Sequence, residues 1–299
     1  MNQLTKKLIT HDGSFHTDDI FACATLMLML EAKGEQYELI RTREEKILET
    51  GDYVFDVGGV YDEKSNRFDH HQIGGAGKHT NGIEYASFGL VWKKFGLGLC
   101  GDQKAFDLIE KNLVSPIDAA DNAISLVDFK SEIKPYFIHN AFYAFYPTWR
   151  NFSNDNLLIG FKECVEIAKN ILSKEIIQAK DAIEAQNTVM EIYQNTQDKR
   201  IIVLDKKYPY EETLRKFPEP LFVIYPKAGG GWSAKAERVD LSSFKNKKDF
   251  PALWAGLRDE DLINVSGVPD AVFCHRTRFL AVAQSKEGAI KLAQIAIES

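Results

Sequence analysis

The stretch YVFDVGGVYD, residues 53–62, decides the fold. An apolar run ends in an acid and two glycines, the pattern of a strand whose chain must leave the edge of a sheet. Upstream, KKLITHDGSFHTDDIFACATLMLML (6–30) follows the same plan. A short apolar strand and a turn lead into a helix from about Asp18, with acids at its N-terminal end, where they complement the helix dipole. Downstream, IEYASFGLVWKKFG (83–96) and QKAFDLIEKNLVSPIDAADNAISL (103–126) read as helices. This βα alternation over residues 1–150 predicts a doubly wound, mainly parallel α/β domain. In such sheets, ligands gather beyond the carboxyl ends of the strands.

From Asn156 to about Gln197 the pattern turns helical, with Phe161, Cys164, Val165, Ala168, Ile171 and Leu172 in the 3.6-residue period. A helical connector is expected over 151–199. Beyond it RIIVLD, LFVIYP, GWSAKAERVD and DAVFCHRTRFLAVAQ read as strands and SKEGAIKLAQIAIES as a closing helix, so a smaller α+β domain is expected over 200–299. A chain of 299 residues, 44% hydrophobic and 27% charged, is large enough for two cores.

No apolar run approaches the roughly 20 residues that span a bilayer, and the stretch from Ile20 to Leu30 is interrupted by Thr25, which argues against a membrane partner. The sequence enters a strand by Leu8 with no secretory pattern before it, so a cytoplasmic location is expected. Cys23, Cys100, Cys164 and Cys274 form no CxxC pair, as buried thiols would, rather than a zinc knuckle or disulfide framework. A net charge of −6 and a pI near 5.7 argue against the broad basic face of a duplex binder. The sequence leaves room for a homo-oligomer.

Four places put His or Asp at strand ends or loops: His11, His16 and Asp18; Asp56; Asp69, His70 and His71; and Asp118 with Asp121. Singly they are weak signals, because an Asp after a strand is most often a turn or helix cap and a loop histidine is most often solvated. Together they carry more, because a doubly wound sheet delivers successive strand ends to one edge. A mixed His/Asp set suits Mn²⁺, Mg²⁺, Fe²⁺ or Zn²⁺, and a carboxylate between ligand sets can bridge two ions about 3.5–4 Å apart.

The order HDGSFHTDD, VFDVGG, FDHHQ, IDAADN resembles the DHH phosphoesterase superfamily, in particular its melanocyte-proliferating-gene branch, whose founding members are described as 3′-to-5′ RNA exonucleases. The resemblance continues through YPTWRN, FPALWAGLRDEDLINVSGVPDAVFCH and the last helix, covering essentially the whole chain. It implies two divalent cations, Mn²⁺ first and Mg²⁺ or another divalent ion next. His11, His16 and Asp18 would be first-loop ligands, Asp56 the bridge, and His70 a ligand of the second ion. Asp69 would support the pair and His71 would face the scissile phosphate. Asp121 is preferred as the fourth-motif ligand, with Asp118 the other candidate.

In the second domain, KAGGGWSAKAERV (227–239) resembles the Gly-rich substrate loop of DHH proteins. Gly229, Gly230 and Gly231 permit close backbone approach, and Trp232, Lys235 and Arg238 suit a stacked base and a phosphate. An ordinary hairpin turn is the bland alternative. Alternation along a strand would put Arg276 and Arg278 on the face opposite His275, and Arg150 and Arg258 are further candidate substrate contacts. The leading function is a two-metal phosphodiesterase, a 3′-to-5′ exoribonuclease on single-stranded RNA or a short oligonucleotide. The alternatives are a hydrolase of a dinucleotide or small phosphoanhydride and a metal-stabilised regulatory protein without catalysis.

Overall fold

The computed structural model describes residues 5–240 and 245–299. The chain divides between Lys180 and Asp181 into two compact units.

The first unit holds β1 (Lys6–Thr10), α1 (Thr17–Ala32), β2 (Tyr37–Arg41), α2 (Glu45–Leu48), β3 (Tyr53–Phe55), β4 (Tyr61–Asp62), β5 (Arg67–Phe68), α3 (Ser87–Cys100), α4 (Gln103–Ile109), α5 (Ser115–Asp121) and α6 (Ile138–Tyr143). A π-helical turn, Glu110–Val114, joins α4 to α5. Its sheet has the order β2-β1-β3-β5-β4, parallel except for β4 against β5. Side chains alternate across it as a period of two requires. Leu8, Tyr53 and Phe55 enter the main core, while Ile9 and Val54 meet Val57 on the other face, against Ile47 and Leu48 of α2. Helix α1 is buried from Thr17 through Met27, which explains why its sequence is apolar with no polar stripe. It packs on α3. Strand β2, which no sequence signal announced, is a half-exposed edge strand.

Residues 151–199 are not a separate connector. One helix, α7 (Asn154–Asn195), gives Leu157, Phe161, Cys164, Val165, Ala168 and Leu172 to the first unit's core and Val189 and Tyr193 to a cluster of the second. Ile171 is only partly buried.

The second unit continues with β6 (Ile201–Val203), α8 (Glu211–Leu214), β7 (Phe222–Pro226), β8 (Trp232–Ala236), α9 (Asp259–Ser266), β9 (Ala271–Cys274), β10 (Leu280–Ala283) and α10 (Lys286–Glu298). The order is β6-β7-β8-β10-β9, with only β6 and β7 parallel, an α+β arrangement around Phe222, Ile224, Trp254 and Leu292. The run 270–284 is a hairpin rather than one strand. The Arg278 N–H donates to the His275 carbonyl (2.7 Å), and Arg278 has a positive φ of 60°. The expected alternation of His275 with Arg276 and Arg278 therefore fails, because those residues form the turn. The four cysteines are buried free thiols, and among the described residues no helix is long and apolar enough to cross a membrane.

In α3, a Cβ on Gly89 would stand 1.9 Å from Asp118 Oδ2 and 2.7 Å from the Tyr85 ring. The substitution Gly89→Ala must push α3 from α5, at a cost of about 1–3 kcal/mol. Urea titration is expected to show the midpoint falling with the slope unchanged.

Candidate metal centre

Three parallel strands end at one edge of the first sheet. β1 runs into His11, β3 into Asp56, and β5 into Asp69, His70 and His71. The chain passes from β1 to β2 on one side and returns to β3 on the other, so the sheet's topological switch point lies between His11 and Asp56. His16 is the N-cap of α1, and Asp18 lies in its first turn. The loop before that cap is anchored by Phe15, whose ring lies 4.3 Å from Tyr146 and 5.7 Å from Phe161. Arg41 donates to the Gly13 carbonyl at 3.0 Å.

Ligand atoms of His11, His16 and Asp56 lie within 4.8 Å of one another, as do those of Asp56, His70 and His71, and those of His16, Asp18 and Asp121. Asp56 and His16 each belong to two sets. Asp56 has a positive φ of 55°, an uncommon left-handed conformation for a residue with a side chain and one found at functional sites. The His11 Nδ1–H donates to the Asp12 carbonyl (2.9 Å). His11 Nε2 then stands 3.1 Å from Asp56 and 3.3 Å from Asp19. His70 Nε2 lies 3.2 Å from Asp121 and 3.4 Å from Asp56.

Burial opposes a charge on His11, yet Asp19 and Asp56 outweigh it and raise its pKa to about 10. Burial also works against ionised Asp56, but His11 and His70 hold it below the usual carboxylate range. For Asp18, burial and then Asp56 and Asp121 all push the carboxyl well up. Both Asp18 oxygens are buried with no well-aligned hydrogen bond among the described residues, and Asp19 Oδ2 and His70 Nε2 have only the charge contacts just given. Buried polar atoms are rarely left so. The donors fit a divalent cation, whose charge reverses these preferences.

Asp69 supports His71. Its Oδ1 is 2.7 Å from His71 Nδ1 and accepts the His71 backbone N–H at 3.1 Å, while Oδ2 accepts the Gly59 N–H at 2.6 Å. His71 is mostly exposed and lines a cavity of about 390 Å³ with His11, His16, Asp56, Asp69 and Arg43.

Asp118 does not join these sets. Its Oδ2 is 2.7 Å from His79 Nε2, and its Oδ1 accepts the Gly89 N–H at 3.1 Å. The other His79 nitrogen is 2.6 Å from Glu110 Oε1. Acceptors on both sides keep that ring a cation: burial opposes the charge, but Asp118 and Glu110 raise its pKa to about 9. Burial pushes Asp118 itself up to about 6, with His79 acting in the opposite direction.

Sequence reasoning missed Asp19, Ser87, Arg43 and His79. Asp19 carried a readable signal, three residues after the His16 cap, where its Oδ1 accepts the His16 N–H at 2.9 Å in a capping box. Ser87 Oγ lies 3.2 Å from Asp56 Oδ1 and 2.8 Å from the Phe68 carbonyl, and nothing in its surroundings in sequence marks it.

Within the second unit, Gly229, Gly230 and Gly231 form the β7–β8 hairpin turn, closed by the Lys227 N–H donating to the Gly231 carbonyl at 3.0 Å. Lys235 pairs with Glu211 (3.0 Å). Arg238 lies beyond β8, bridged to Asn246. His275 Nδ1 is 2.8 Å from Thr277 Oγ1, Arg258 lies over the Phe273 ring at 4.4 Å, and Arg278 pairs with Asp249 at 3.0 Å. In the first unit, Arg150 lies over Trp149 at 4.4 Å and lines a different hollow from the histidine cavity.

Fold and donors together define an α/β protein with a cluster of His and Asp donors, of a kind that could hold a divalent cation, at the switch point of its sheet. A family model described as MYG1_exonuc, uncharacterised protein family UPF0160, matches residues 7–297, and the chain belongs to this family. The human protein named MYG1 exonuclease is 30% identical over 326 residues, covering 95% of this chain and 84% of its own. A MYG1 protein of Schizosaccharomyces pombe is 27% identical, covering 100% and 99%. Among solved structures, RecJ from Thermus thermophilus in complex with Mn²⁺ matches with 10% identity and a TM-score of 0.29, over 98% of this chain and 52% of RecJ. That likeness is too loose to transfer residue positions.

The His79 clamp sets a pH dependence. A histidine whose pKa is raised on folding adds stability that is complete below its unfolded value, about 6.5, and lost as pH rises through the folded value of about 9. The stability gap between wild type and His79→Gln is expected to shrink steadily from pH 7 to pH 9.5 in denaturant titrations.

Proposed function

We propose that the chain is a divalent-metal-dependent phosphodiesterase of the DHH type that trims single-stranded RNA from its 3′ end in the cytoplasm. One observation carries this reading: two overlapping donor sets share Asp56, and among the described residues no basic group pairs with the buried oxygens of Asp18, which face Asp121 and His16. His11, His16, Asp18 and Asp56 would hold one ion, and Asp56, His70 and Asp121 a second, with Mn²⁺ or Mg²⁺ suited to such mixed ligands. Bound ions in these positions would supply Lewis-acid charge to a phosphodiester and ease deprotonation of water near neutral pH.

The protein's own groups do the rest. His71, exposed and fixed by Asp69, would donate a hydrogen bond to a phosphoryl oxygen as charge develops there. Arg43, in the same cavity, offers a positive contact for phosphate. Asp19 and the Asp12 carbonyl hold the His11 ring in one orientation. The exonuclease naming of the human relative supports a nucleic-acid end as substrate. Recognition through the second unit belongs to the same proposal, with Gly229, Gly230, Gly231, Lys235, Arg238, Arg258 and His275 as contacts and Arg150 in the first unit as another. Lys235 would have to exchange Glu211 for phosphate.

Purified protein is expected to carry up to two divalent ions per chain and to melt at lower temperature after chelation, since ligands of the native state stabilise it by linkage. His70→Ala is expected to lose metal and activity together, and His71→Ala to keep its metal while kcat/KM falls about 100-fold. Metal analysis beside kinetics on single-stranded RNA, a dinucleotide and pyrophosphate decides the reading. No metal uptake at saturating Mn²⁺, or turnover of pyrophosphate alone, would overturn it.

A further inference from the structure

Next to the donor cluster, in the same unit, lies a second hollow of about 570 Å³, a size typical of small-molecule sites. Two of its lining residues tie it to the cluster: Thr17 stands between His16 and Asp18, and Ala120 directly precedes Asp121. Thr17 is more than nine-tenths buried and contributes to the wall of the hollow.

Phe129, Phe137 and His139 also line the hollow. Phe137 and His139 are stacked, with ring centroids 5.4 Å apart and planes 25° apart, and Phe129 meets Phe137 edge-on at 6.2 Å. His139 in turn lies 5.8 Å from Tyr143, one helical turn on in α6. Phe129 is 44% exposed and Leu126 53% exposed, although soluble proteins rarely show contiguous apolar surface without a use for it.

Among the described residues, no Lys, Arg, Asp or Glu lines this hollow. Its chemistry therefore disfavours a phosphate and suits a flat, uncharged group that stacks on rings and offers edge atoms to Asn112 and His139. We infer that the hollow binds the nucleobase of the nucleotide whose phosphodiester lies at the His/Asp cluster. The inference rests on the phosphodiesterase reading and adds to it that the terminal base is gripped in the first unit. Few polar groups face the base, so the grip is tolerant of sequence, since every base presents a face for stacking.

The test uses the full chain with Mn²⁺, titrated by calorimetry with adenosine 5′-monophosphate and with ribose 5-phosphate, which lacks the base. Wild type is expected to prefer the nucleotide at least about tenfold, and Phe137→Ala and Phe129→Ala to cut that preference about tenfold each. Phe137 is half-buried and Phe129 exposed, so both variants are expected to keep the wild-type circular dichroism spectrum. Equal affinity of wild type for the two ligands, or a preference unchanged in both variants, overturns the inference. Hydrolysis of bis(p-nitrophenyl) phosphate reports the cluster separately. If wild type fails to cleave it while the base preference survives, the hydrolase reading falls and the base site stands.

Discussion

Like-charge repulsion at the end of one sheet is the constraint on which the first unit depends. Asp18, Asp19 and Asp56 are each almost wholly removed from water, and Asp121 joins Asp18 and His16 in one donor set. Carboxylates so crowded and buried raise one another's proton affinity unless positive charge lies among them. His11 and His70 provide part of it. The surroundings hold those rings and acids in place: the Asp12 carbonyl on His11, Ser87 at Asp56, and the Gly59 N–H on Asp69. The left-handed backbone of Asp56 is a local cost that such a frame sustains.

The strand ends were legible because each unites two signals, an apolar run of strand length and a polar residue where the run stops. β1 with His11 and β3 with Asp56 follow this rule, whereas β5 is only Arg67–Phe68 after a polar stretch, and Asp69 was legible from its place beside His70 and His71. β2 did not, because the half-exposed edge strand YELIR mixes charge with apolar residues and so resembles a loop. The division inside α7 was equally hidden. Its apolar stripe continues past Lys180 while the core that receives it changes, and periodicity does not say which partner a stripe meets. In residues 270–284 no glycine or proline marks the turn, so two strands and their connection read as one.

Among the site residues, spacing alone left Asp118 and Asp121 as rivals. Three-dimensional neighbours separate them. Asp118 meets a histidine 39 positions away and the backbone of α3, contacts with no trace in local sequence, whereas Asp121 reaches His16 and His70. In the second unit the residues suited to phosphate are held by their own neighbours, Lys235 by Glu211 and Arg278 by Asp249. A cation's place in the sequence says nothing of such partners.

The π turn at Glu110–Val114 works as a phase setter. A turn that takes in one residue more than an α turn advances all that follows by about 100° around the helix axis. The phase it sets lets α5 serve two addresses at once, with Asp118 against His79 and Gly89 and, less than a turn later, Asp121 against His16 and His70. Chain length in this segment is therefore tied to where the two carboxylates of α5 stand in a way that side-chain identity is not. Loss of one residue here would leave every carboxylate in the sequence and carry both of them off their marks together.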